Sequence, residues 1–149
     1  MVPTLRGRLQ TRVFAVLVIG GLWTLLISPV LPGLPAKAAL GDTYEMTFSI
    51  LLTVLVLGLV WELVYHALQQ FRWEKDWPTL FGLLSAISEG TLLWLVLRAG
   101  VIPTIDQTPP ASAWITHFVT TWMVIFLWLN GPMKVVFIRW RLRGGRLVG

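Results

Sequence analysis

The chain contains no cysteine. That excludes a disulfide framework, an iron–sulfur cluster held by thiolates and a thiolate metal site, and it leaves the redox compartment unreadable. Charge is also scarce: 13% of the residues are charged against 56% hydrophobic, with a mean hydropathy of +0.74. A soluble domain of 149 residues needs far less apolar material. Catalytic signatures are missing too. There is no HExxH, no GxSxG and no Gly-rich phosphate loop after a strand. The composition therefore implies an integral membrane protein that is not an enzyme, with no cofactor assigned.

What fills the sequence is long apolar runs. Hydropathy and punctuation predict an all-α integral membrane fold, a four-transmembrane-helix bundle forming one membrane domain over 1–149, with spans at about 12–28, 43–71, 77–98 and 112–139. Arg6, Arg8 and Arg12 precede the first span, and Pro29, Pro32 and Pro35 end it. Together with Ala36-Lys37-Ala38 this start resembles a secretory signal peptide, but the apolar core is too long, so a retained signal-anchor helix is expected. Asp42 and Glu45 have the spacing of a capping box for the second span. Asp76 is placed to cap the third, with Pro78 in its first turn, and Ser112 to cap the fourth. Asn130-Gly131-Pro132 predicts a kink, because Pro132 has no N–H to donate to Trp128.

Basic residues set the orientation. With both termini and the 72–77 loop on one side, that side holds Arg6, Arg8, Arg12, Arg72, Lys75, Lys134, Arg139, Arg141, Arg143 and Arg146; Lys37 and Arg98 fall on the other. The positive-inside rule then expects both termini in the cytoplasm, in a bacterial-type cytoplasmic membrane. The net charge of +5 belongs to this pattern rather than to nucleic-acid binding. The Arg-rich tail from Arg139 reads first as an anchor on anionic lipid and second as a docking site for an acidic partner. Trp73, Trp77, Trp114 and Trp140 lie at span ends, where indoles favour the headgroup layer.

Ionisable groups inside the spans are expensive and mark candidate sites. Glu62 and His66 are four residues apart and share a helical face, which Gly58 and Gln69 continue. Gly82, Ser85, Ala86 and Glu89 form a small, polar stripe on the next helix, suited to close packing against protein. Counting from the span ends at ~1.5 Å per residue puts Glu62 roughly 12 Å and Glu89 roughly 16 Å from the same boundary. The expected site is a polar cluster of Glu62, His66 and Glu89, with Asn130 and Lys134 approaching it.

One haem iron cannot be shared by His66 and His117 within one chain, since their depths differ by roughly 20 Å at that rise. A haem or pigment held by a single histidine stays open, beside the plainer reading of a histidine bonded to a neighbouring helix. Arg72, Trp73, Glu74, Lys75, Asp76 and Trp77 form either a recognition loop or an interfacial hairpin with local ion pairs. The first functional expectation is a non-catalytic subunit or scaffold of a homo- or hetero-oligomeric membrane complex, partnered by the lipid bilayer and by other membrane subunits or copies of itself. The second is a proton- or cation-coupled transporter or channel protomer using Glu89 and Glu62.

Overall fold

A computed structural model describes residues 2–149. It is all-helical, with four helices long and apolar enough to cross a membrane: α1 (Leu5–Val30), α2 (Leu40–Gln70), α3 (Thr79–Arg98) and α4 (Ala111–Val136). A short α5 (Ile138–Leu142) follows. Each long helix packs against its neighbour in sequence, and α4 closes the ring on α1. Short connections force this up-and-down order. Two apolar layers hold the middle of the bundle. Ala15, Val16, Leu51 and Ile125 join α1, α2 and α4, while Ile50, Val54, Leu93, Leu97 and Phe118 join α2, α3 and α4. Outward faces carry large apolar side chains such as Leu26, Val56, Ile87 and Leu127, as lipid contact requires.

The first span is longer than the sequence predicts. It begins at Leu5, where Thr4 caps the helix by accepting from the Gly7 N–H. Arg8 and Arg12 consequently lie within the helix, and Arg8 is buried. Three expected caps are not used. Ala39 occupies the N-cap of α2 and makes no side-chain bond, so Asp42 sits inside the first turn. Pro78 is the N-cap of α3, and Asp76 instead accepts from Arg72 Nε at 3.0 Å. Pro110 is the N-cap of α4, and the Ser112 hydroxyl donates to the Pro32 carbonyl. In each case the chain enters the helix from an extended residue, and the polar side chain finds a partner elsewhere or none.

α1 is not uniform. Ala15–Gly20 forms a π-helical turn in which the Gly21 N–H reaches back to the Val16 carbonyl. A regular helix turns about 100° per residue, so the twelve residues from Arg12 to Thr24 would put Thr24 roughly 120° away around the axis. An i→i+5 turn absorbs one extra residue and takes back roughly 100° of that. Arg8, Arg12, Val16, Gly20, Thr24 and Ser28 then line one interior face, and Arg8, Val16, Gly20, Thr24 and Ser28 are all buried. In α4, Gly131 breaks the helix as the sequence predicts, at φ −116° and ψ −97°. The helix resumes at Pro132 and breaks again at Phe137 before α5.

Candidate functional site

The site is built around two arginines that the sequence reading assigned to a membrane flank. Arg8 Nε and Nη2 both donate to Gln69 Oε1, at 3.1 and 2.9 Å, and Nη1 donates to Glu62 Oε2 at 3.0 Å. Gln69 is itself fixed, since its Nε2 donates to the carbonyls of Pro3 and Lys75. One helical turn further along α1, Arg12 Nη2 donates to Glu89 Oε2, and Arg12 Nε lies 3.8 Å from Glu62 Oε1. Arg12 thus spans the bundle diagonally from α1 to α3 and touches a carboxylate from α2 on the way. Its side chain is 9% exposed and that of Glu89 5%, which makes this a buried pair rather than a surface one. Buried charges persist only when paired and hydrogen-bonded.

Small and aromatic residues make room for these guanidinium groups. A Cβ on Gly58 would run into the Arg12 guanidinium, so any side chain there forces Arg12 to shift from its carboxylates. Arg8 lies 4.8 Å from the centre of the Trp77 ring, and Arg12 lies 5.4 Å from that of Trp122. Such contacts stabilise a partly desolvated guanidinium and hold its plane. Tyr65 packs between Trp61 and Trp77, with ring centres 5.5 and 5.2 Å away, and its hydroxyl meets Ser88 at 3.2 Å.

A cavity of about 600 Å³ lies beside the network. Arg8, Arg12, Glu62 and Glu89 line it, with Gly82 and Ser85 on the α3 wall and Trp122, Phe126, Leu129, Asn130 and Lys134 on the α4 wall. The size falls within the ~300–1,000 Å³ typical of small-molecule sites.

The structure brings Glu62 and Glu89 together through Arg12, as two acceptors of one cation. Asn130 and Lys134 join the cavity wall and bond to each other, with Lys134 Nζ donating to Asn130 Oδ1 at 3.2 Å. His66 stays apart. It is half-buried, its Nδ1 has no partner among the described residues, and its carbonyl receives a long 3.5 Å contact from Gln70 Nε2. The 72–77 loop divides. Trp73 is fully exposed, and Glu74 and Lys75 are exposed, whereas Trp77 turns inward under Arg8. His117 borders the same cavity and belongs to a second polar column. Its Nε2 meets Thr24 Oγ1 at 3.0 Å, and Ser28 Oγ meets Thr47 Oγ1 at 2.8 Å. It is therefore a histidine bonded to a neighbouring helix.

Arg8, Arg12, Gln69 and Trp122 were missed as site residues. The fourfold spacing Arg8, Arg12, Val16, Gly20, Thr24, Ser28 marks one helical face only once the π turn at Ala15–Gly20 is known, and no comparable signal pointed to Trp122.

Compared with known proteins, the chain matches no family model, no curated protein and no solved structure.

Proposed function

We propose that this chain is a proton-conducting membrane transport protomer, with the Arg12–Glu62–Glu89 triad as its working element. The observation that supports this reading is the placement of one buried cation between two carboxylates from different helices, beside an open cavity. A proton on Glu89 leaves Arg12 a partner in Glu62, which also keeps Arg8. Glu89 can then exchange a proton without leaving either guanidinium unpaired, which is the requirement for a switching element. Two guanidinium groups at the same place disfavour a bare metal cation by like-charge repulsion, so the cation branch of the transport reading narrows to the proton.

The scaffold reading treats the same groups as ordering devices at a subunit contact. Glu89 turned into its own bundle favours an internal site instead, because a group enclosed there offers nothing to a neighbour. Both termini and the 72–77 loop share one end of the bundle, where Thr4 N–H bonds the Gly144 carbonyl and Gln69 bonds those of Pro3 and Lys75. We assign that end to the cytoplasm from its excess of Lys and Arg.

The test is proton flux into vesicles of neutral lipid carrying the purified chain and an internal pH dye. Flux above that of empty vesicles is expected, falling to the empty-vesicle level in Glu89→Gln while helical content is retained. Absence of flux in the unaltered chain, or undiminished flux in Glu89→Gln, would remove the reading.

A further inference from the structure

The charges around the cavity do not balance, and the excess has a definite place. Three carboxylates line it: Glu62, Glu89 and Asp76. Each already has an arginine: Arg8 and Arg12 for Glu62, Arg12 for Glu89, and Arg72 for Asp76. Two further cations line the same cavity, Lys134 and Arg141, and neither forms an ion pair among the described residues. Both come from the broken end of the fourth span, on either side of Phe137. The neighbouring wall is apolar and aromatic. Trp122, Phe126, Asn130 and Lys134 follow one another at fourfold spacing, so α4 presents a strip that runs from indole and phenyl rings to an amide and an ammonium.

We propose that the cavity binds an amphipathic oxyanion, a carboxylate or phosphate carried on an apolar body. Its head lies between Lys134 and Arg141, and its body lies against Phe126, Leu129 and Trp122. Arg141 supplies a planar fork suited to bidentate oxyanion contact and Lys134 a mobile point charge. Gly82 and Ser85 form the small-residue wall on α3 that faces this strip. The inference rests on the cavity being the working site of the protein, and it adds the class of molecule that enters there.

Binding is tested with the full chain in discs of neutral phospholipid, using labelled dodecanoate and subtracting empty discs. Saturable binding is expected, displaced by dodecyl phosphate but not by dodecanol or inorganic phosphate. The paired substitution Lys134→Gln with Arg141→Gln removes two charge-assisted bonds and should weaken dodecanoate roughly tenfold or more. Both residues stand outside the buried arginine–glutamate network, so the bundle should persist. As an independent measurement, brominated dodecanoate should quench the unaltered chain saturably, and Trp122→Phe should lose much of that quenching while still binding.

Equal displacement by dodecanol would overturn the proposal in favour of an apolar pocket alone. Displacement by inorganic phosphate at similar concentration would overturn it in favour of a small-anion site. Undiminished binding by the paired variant, or quenching that Trp122→Phe leaves unchanged, would also overturn it by placing the ligand elsewhere. Saturable dodecanoate binding without proton flux keeps this inference and removes the transport reading; flux without binding does the reverse.

Discussion

Arg12 is the residue on which the interior depends. Among the described residues it is the one cation paired with Glu89, and its side chain is largely enclosed. Removing one partner of a buried pair leaves the other charge uncompensated, so Arg12→Ala should cost about 3–5 kcal/mol. Thermal or denaturant unfolding of the solubilised chain measures this. The double change Arg12→Met with Glu89→Gln should recover most of the loss, because Arg8 still neutralises Glu62 and no lone charge is left near Glu89. A double variant as unstable as the single one would show that the pair is not the source of the effect. Gly58→Ala should fail in the same direction, since its methyl group occupies the position of the Arg12 guanidinium. The carboxylates were legible in the sequence because charge inside an apolar run is conspicuous. The arginines were not, because a basic residue at the start of an apolar run looks the same whether it faces lipid headgroups or the bundle axis.

At the scale of the element, α1 carries two polar clusters on one face only because of its π turn. Deleting Val18 should return Ala15–Gly20 to α-helical hydrogen bonding and rotate one cluster against the other by roughly 100°. Thr24 would then leave His117, or Arg12 would leave Glu89. Loss of thermal stability comparable to that of Arg12→Ala is expected, whereas deletion of one residue in the exposed 36–38 turn should be tolerated. The spacing that exposes this face was readable, but the turn that maintains it was not. Nothing in Ala-Val-Leu-Val-Ile-Gly distinguishes a π turn from an α turn; the rotation is imposed by what packs against both ends. The kink at Gly131-Pro132, by contrast, follows from proline chemistry alone and was legible.

For the whole molecule, the C-terminal tail is clasped to α1. Gln10 Oε1 accepts from Leu147 N–H at 2.8 Å and Val148 N–H at 3.2 Å, and Thr11 Oγ1 donates to the Gly145 carbonyl at 3.0 Å. Trp140 is buried and donates to Thr11 Oγ1 at 2.7 Å. Positive φ at Gly144 and Gly145, 60° and 84°, lets the chain double back to make these bonds. Gln10→Ala removes two acceptor contacts at about 0.5–1.5 kcal/mol each, so amide exchange at Leu147 and Val148 should quicken about tenfold or more. Unchanged exchange would mean that the tail is held by other contacts. Trp140 and Arg141 both line the cavity, so the clasp also borders it.

The number of long apolar helices and the sharing of one bundle end by the termini and the 72–77 loop were set by the sequence alone. Lipid offers no partner for backbone groups, so long apolar runs must become helices, and short links must make them antiparallel. The presence of costly carboxylates inside the spans was equally explicit. Only the tertiary structure decided which cation meets which carboxylate, where the cavity opens and which cations are left unmatched around it. Those outcomes depend on the rotation of each helix about its axis and on the first turn of α1 beginning at Leu5. Both are fixed by packing between segments far apart in the chain, to which no local pattern of residues corresponds.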